Sequence, residues 1–283
     1  MQTQTLLTPA SITATGGGLD LDTSRLTGRA HATITVRNTA GTNPTLACKL
    51  QGSTGLARGY EYSTLGATAT ELREGATTNN KLALRFTQSG ARSIKRVALY
   101  LDKQGSFTAG KKLTLTIETN NSGNPSGTAV TNGTSNTVDI DTEVSTTAGW
   151  VTFTFAKPVD LSDATVYHFV LAGDYTASAT INVRWYSKTV ASGGTFNTFD
   201  ATNWAGVTAT ENLMAYADEY TFTDISGGGF TTVETALNTS VQTISLHARS
   251  LPQRTRIYST VGGTDNPAFA VAGTLTASKV HAQ

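Results

Sequence analysis

The chain has 283 residues, one cysteine, a formal net charge of +1 and 14% charged residues. That length buries a full core without a disulfide or metal framework, and the charge balance argues against a nucleic-acid-binding tail or an acidic disordered segment. The single Cys48 excludes any cysteine-rich zinc site, and no run of eighteen apolar residues suggests a membrane span.

With 53 threonines and 27 glycines but only six prolines, the composition is that of many short strands joined by tight turns, so the predicted class is all-β. The opening segment Met1–Pro9 has neither a basic region nor a long apolar stretch, so no secretion leader is expected. Gly16-Gly17-Gly18 marks a loop. Alternation over Ala32–Val36 and again over Thr45–Leu50 predicts two strands, separated by the turn Gly41-Thr42-Asn43-Pro44.

A second texture follows, rich in Gly, Asn and Ser turns and holding all three tryptophans. Its predicted strands are Lys81–Phe86, Ile94–Leu101, Lys112–Glu118, Thr137–Ile140, Trp150–Phe155, Tyr167–Ala172, Thr180–Tyr186 and Ala215–Phe222. Eight strands at short spacing predict two packed antiparallel sheets of the jelly-roll kind. From about Ile225 the first texture returns: Gly227-Gly228-Gly229, the strands Val241–Leu246, Thr255–Val261 and Phe269–Leu275, and a turn Gly262–Pro267 that echoes Gly41–Pro44. Residues 1–64 and 225–283 together hold nine Lys/Arg and five Asp/Glu, whereas 65–224 hold twelve and fifteen. A domain of net +4 is thus interrupted by one of net −3.

The two flanks, spliced together, resemble a small β-sandwich protein encoded beside the major capsid protein in many tailed phages. The residues carrying the resemblance are Leu6–Gly16, Gly41–Gln51, Arg254–Ile257, Val261–Thr264 and Phe269; in that family the strand ending in Lys-Leu-Gln, here Lys49-Leu50-Gln51, leads through a short polar loop into a Phe-Thr-x-Val segment, here Phe230-Thr231-Thr232-Val233. The middle, through Ser93–Leu101, Leu113–Ile117, Asn120–Gly127, Trp150–Phe155 and Tyr167–Leu171, resembles jelly-roll modules of bacterial surface and phage structural proteins, some of which bind sugars. The resemblance implies a split β-sandwich of residues 1–64 and 225–283 that docks on a capsid, with a jelly roll of residues 65–224 inserted at a loop tip. It further implies a virion structural protein on the outer surface of the head, a decoration or cement protein made in the host cytoplasm. Its partners would be the major capsid protein and further copies of the chain, a trimer among the arrangements. The competing reading is a host-glycan-binding head-fibre, tail or baseplate protein.

Candidate sites are few. Arg249, Arg254 and Arg256 form the one local basic group, and the last two share a strand face, where they would meet acidic capsid groups or pair across strands within the domain. Asp139, Asp141 and Glu143 at period two would place three carboxylates on one strand face, a solvated acidic edge or a weak calcium ligand set. Trp204, in a turn-rich loop, is the expected exposed aromatic for glycan contact, while Trp150 is expected in the core with Phe153 and Phe155. His31, His168, His247 and His281 lie in separate segments without an elbow or metalloprotease motif, so neither an enzyme, a cofactor nor a metal is expected.

Overall fold

The computed structural model describes residues 2–24, 26–66, 68–73, 79–190, 195–200, 202–205, 210–234, 240–247 and 251–280. The N-terminal strands are β1 (Gln2–Ile12), β2 (Gly16–Gly17), β3 (Leu21–Asp22) and β4 (Leu26–Ser53). Next come β5 (Ala57–Tyr62), β6 (Thr68–Leu72), β7 (Lys81–Thr87), β8 (Arg92–Gln104), β9 (Lys112–Asn121), β10 (Asn124–Thr134) and β11 (Val138–Asp139). A single helical turn α1 (Ile140–Glu143) precedes β12 (Gly149–Leu161), β13 (Val166–Gly173), β14 (Asn182–Thr189), β15 (Phe196–Phe199), β16 (Glu211–Leu213) and β17 (Ala215–Tyr220). The chain closes with β18 (Thr223–Gly229), β19 (Val233–Glu234), β20 (Ser240–His247) and β21 (Arg254–Val280). The protein is all-β, and it divides into two compact units, Met1–Leu56 with Tyr220–Gln283, and Ala57–Glu219. The division falls at 56/57 and 219/220 because β5 pairs with β17 and so belongs to the middle unit's sheet.

In the flank unit β4 and β21, 28 and 27 residues long, pair antiparallel from Leu26↔Val280 to Ser53↔Arg254. Strands this long exceed the usual three to ten residues. The sequence explains how: the Gly-Thr-Asn-Pro stretches predicted as chain reversals are kinks inside continuous strands, and the two kinks lie opposite each other, with Thr42 paired to Thr264 and its hydroxyl donating to Asp265 at 2.6 Å. Gly41 and Gly263 take φ of 106° and 114°, open chiefly to glycine, and a Cβ on Gly41 would come within 2.6 Å of Pro267 Cα. On one side of the kink β1 and β20 flank the pair; on the other β2, β3, β18 and β19 do. Both blocks feed one core: Ala30, Ala32, Ile34, Val36 and Leu275 from the first, Leu46, Cys48, Leu50 and Ile257 from the second. Kinked strands shared between two blocks are how sandwich corners are made.

The threonine content finds its place on the opposite face of the first block. Alternation puts His31, Thr33 and Thr35 outward, paired in register with Thr276, Thr274 and Ala272 on β21 and with Ser245, Thr243 and Val241 on β20. Cross-strand hydroxyl bonds join Thr33 to Thr243 and Thr3 to Thr276, at 2.9 and 3.1 Å. Such pairs are among the contacts that favour threonine on a solvated sheet.

The middle unit is a sandwich of two antiparallel sheets, β10-β9-β13-β7-β15 with β11 on β9, and β16-β14-β8-β17-β5 with β12 on β8 and β6 on β14. Successive strands β7, β8, β9, β12, β13, β14 and β15 change sheet nearly every time, as in jelly rolls. Period-two alternation sends Leu82, Leu84 and Phe86, then Val97, Leu99 and Leu101, then Phe153 and Phe155, into one core. Phe86 stacks on Phe169 at 4.2 Å between ring centroids, and the fully buried Trp185 donates its indole N–H to the Met214 carbonyl at 2.9 Å. Several elements depart from expectation: β5, β6, β15 and β16 fall where no strand is predicted, and two further departures have a local cause. The Thr137–Ile140 strand shrinks to Val138–Asp139 because Asp139 caps the helical turn. The unforeseen β10 lacks alternation and carries left-handed residues Gly127 and Asn132, which its partly exposed face tolerates.

Candidate functional site

Of the three arginines expected to meet a capsid, Arg249 lies outside the described residues. Arg254 opens β21 with its guanidinium nitrogens 3.9 Å from both Asp20 and Asp22, so cross-strand pairing within the domain is what the structure gives it. Arg256, two residues on, faces inward and is 3% exposed. Its register partner is Gln51, whose Oε1 accepts from Nε at 3.1 Å and Nη2 at 2.9 Å. The guanidinium carbon lies 3.9 Å from the Phe222 ring centroid. Gly17 makes this possible, since a Cβ there would occupy the guanidinium's place. Gln51 passes the network on, donating to Asp224 at 2.9 Å beside Lys49 at 2.8 Å, and these bonds hold the Asp224 carboxyl below the usual carboxylate range. Arg256 is therefore a core arginine rather than a docking residue.

The three carboxylates of the acidic run have separate tasks. Asp139 Oδ1 accepts from the backbone N–H groups of Asp141 and Thr142 at 3.0 and 3.1 Å, and Glu143 returns a carboxylate oxygen to the Asp139 N–H at 2.7 Å. This reciprocal cap lowers the Asp139 pKa, the Thr142 backbone bond first, and it turns the run off the strand path. Asp141 faces Lys103 instead. Among the described residues no group of three His, Cys, Asp or Glu is placed to hold a metal.

Trp204 is half-buried, bridged to Phe199 with ring centroids 5.1 Å apart, and Lys81 lies 5.4 Å from the same Phe199 ring. Trp150, expected in the core, is instead 36% exposed. Phe153 and Phe155 fix the inward parity of β12, and Trp150 falls on the other face. There it meets Tyr100 at 5.2 Å and Tyr216 at 4.8 Å, and Tyr100 meets Tyr186 at 5.7 Å, so four rings cross the outer face of the seven-stranded sheet. Each end of this row is tied by arginine. Arg58 lies 3.5 Å over Tyr216 and shares Asp218 with Arg96, at 2.9 and 2.6 Å. At the far end buried Asp102 accepts from Arg184 and, at 2.8 Å, from the Tyr186 hydroxyl.

Two buried titratable groups complete the middle unit. His168, wholly buried between Arg85 and Glu118 in the ladder, has its pKa pushed down to about 4, by burial first and Arg85 second. Glu219 closes a cleft of about 280 Å³ lined also by Arg58, Tyr60, Gln88 and Arg92. Burial raises its carboxyl pKa, opposed by Arg92 at 3.8 Å and Gln88 at 3.4 Å, and Gly59 leaves the room its carboxylate occupies. His31 sits on β4 with a ring nitrogen 2.9 Å from the Ser245 hydroxyl. The His247 side chain and His281 lie outside the described residues.

No family model matches the chain, and no curated protein matches it. Among solved structures it aligns with the VP2 subviral particle of infectious bursal disease virus, at 8% identity over 97% of this chain and 79% of that one, with a TM-score of 0.22. A second alignment, to T=1 particles derived from the same virus, has 9% identity over 96% of this chain and 75% of that one, with a TM-score of 0.20. Superpositions this loose assign nothing to individual residues.

Proposed function

We propose that the chain is a virion structural protein of the decoration or cement kind, bound to the outside of a tailed-phage head through its flank unit. The observation that carries the reading is where the resembling segments lie. Gly41–Gln51 is on β4, Arg254–Ile257, Val261–Thr264 and Phe269 are on β21, and these strands, separated in sequence by the whole middle unit, pair with each other throughout. The segments that resemble a capsid-associated sandwich thus build one sheet. With Arg256 internal and Arg254 engaged with Asp20 and Asp22, the docking surface we assign is the threonine-bearing outer face of β4, β20 and β21, where Val241 is 64% exposed.

Cement action is mechanical: contacts made only with the assembled shell shift its apparent stability by mass action, and many modest interfaces add. Particles assembled without the protein should release DNA at lower temperature than complete ones, with the native copy number near that of the major capsid protein. Thr33→Glu with Thr243→Glu should empty the particles of this protein without unfolding it. Equal release temperatures with and without it, or a few copies confined to the tail, would remove the reading.

A further inference from the structure

On the six-stranded sheet of the middle unit, hydrogen bonding leaves one buried amide half satisfied. β15 turns Phe196 into the core and Asn197 to the opposite face, yet Asn197 is fully buried there. Part of its cover is the β9–β10 turn, which reaches Asn197 over β13 and β7, the two strands that separate β9 from β15 in the sheet. Asn197 Nδ2 lies 3.1 Å from Asn124 Oδ1 and 3.4 Å from the carbonyl oxygens of both Gly123 and Ala205. An amide nitrogen has two hydrogens for these three acceptors, while the buried Oδ1 of the same side chain has no donor among the described residues. A buried amide oxygen without a donor is costly.

Half a turn about the Cβ–Cγ bond exchanges the two ends of an amide in the same space. Four oxygens then converge: Asn197 Oδ1, Asn124 Oδ1 and the carbonyls of Gly123 and Ala205. With no hydrogen to share, such a group is stable around a cation. We infer that these four oxygens bind a calcium ion, which pins the β9–β10 turn to β15 and to the loop that follows it. The spacing supports the choice of ion: with calcium–oxygen distances of about 2.3–2.6 Å, neighbouring ligand oxygens stand about 3–3.7 Å apart, whereas the smaller magnesium shell draws them to about 2.9 Å. The Asn197 amide end stands 3.1–3.4 Å from its three neighbours.

The oxygens are held in place without the ion. Gly123, at a φ of 95°, donates its N–H to Asn120 Oδ1 at 3.1 Å, and the Ala205 N–H bonds the Thr198 carbonyl at 2.7 Å. Asp200 fixes the intervening loop by accepting from the N–H groups of Thr202 and Asn203 at 2.9 and 2.6 Å. All four ligands are neutral, and Asn124 is only partly buried, so water completes the shell of six to eight oxygens. Few charges on the ligands make a weak site, saturated at the calcium levels met outside cells. The inference rests neither on the capsid reading nor on the acidic run at Asp139, since all four residues belong to the middle unit and none is a carboxylate.

The test titrates calcium chloride into the full-length chain, stripped of divalent ions by a chelator, and follows heat of binding and thermal midpoint. We expect half-saturation at about 10⁻⁴–10⁻³ M calcium, a raised midpoint, and no comparable effect of magnesium or of sodium at equal ionic strength. Asn197→Asp trades the amide donor for a charged oxygen, so it should lower the calcium-free midpoint and bind calcium at least tenfold more tightly. If Asn197 serves only as a hydrogen-bond donor, that variant is destabilised equally with and without calcium. Should the variant fail to fold, terbium in the native chain gives the readout: luminescence sensitised by Trp204, the neighbour of Ala205, displaced by calcium and lost in Trp204→Phe. No calcium binding by the native chain, equal effects of magnesium or sodium, an Asn197→Asp variant that calcium does not rescue, or terbium luminescence undiminished in Trp204→Phe would overturn the inference.

Discussion

The flank and middle units solve the same problem with opposite means. The flank unit uses two very long kinked strands and fills its core largely with alanine, valine, isoleucine and leucine, adding a polar chain that runs from buried Arg256 through buried Gln51 to Asp224 at the surface. The middle unit uses many shorter strands that keep changing sheet, and packs its core around Phe86, Phe153, Phe155, Phe169 and Trp185. Small side chains pack two close layers but bury little area each, so position along the strand and buried hydrogen bonds carry more of the specificity there. Large aromatic rings concentrate stabilisation in a few residues.

That contrast can be broken most directly in the middle unit. Trp185→Ala removes a wholly buried ring and its bond to the Met214 carbonyl, and should destabilise by about 4 kcal/mol. Denaturant unfolding followed by near-ultraviolet circular dichroism measures it; a loss near 1 kcal/mol would mean the aromatic core is not concentrated there. The matching lesion in the flank unit is Arg256→Ala. It strips Gln51 Oε1 of two donors and the Phe222 ring of its stacked cation, and should cost about 3 kcal/mol. Calorimetry should show the variant lowering a flank transition while the transition sensitive to Trp185→Ala stays in place. One shared transition moved by both would erase the distinction.

A third test sharpens the comparison through pH. His168 is neutral in the fold, with a pKa of about 4 against an ordinary value of 6.5, so the unfolded chain binds the extra proton. Its contribution is complete above pH 6.5 and drains away as pH falls toward 4, amounting to about 2 kcal/mol lost by pH 5. His168→Gln should flatten the stability of the middle unit between pH 7 and 5 relative to native chain; parallel curves would remove the assignment. The smallest effect belongs to the kink. Gly263→Val forces a branched side chain to φ near 114° and within 2.8 Å of Pro44 Cα, costing about 2 kcal/mol or less. It should lower the flank transition alone.

What the sequence reveals follows from the same contrast. Alternation was enough for the class and for most middle strands, because each has a clean inward set such as Leu113, Leu115 and Ile117. The long flank strands were hidden because Gly, Asn and Pro read as reversal, and only the pairing of one such stretch with the other turns reversal into a kink. Trp150 was legible after all: Phe153 and Phe155 set the parity, and an even-numbered neighbour must then point outward. Arg256 was not, since its burial depends on Gln51 and Gly17, both remote in sequence. The Asp139 cap had a local signal in an Asp followed by a Glu four residues on, outweighed by period-two reading.

The point at which the chain leaves the flank sheet has a broader consequence. Its last exit residues and first return residues are ladder partners, Gly52 with Thr223 and Gln51 with Asp224, while the middle unit pairs its own first and last strands, Ala57 with Glu219. Seen from the flank sheet, everything between is the tip of a hairpin whose two ends are already held side by side. The closure entropy of such a tip grows only slowly with its length. The locus therefore has the form of a cassette site: a folded module whose ends meet fits there without lengthening the gap the flank sheet must close, so one flank scaffold could carry unrelated modules without redesign of its own core.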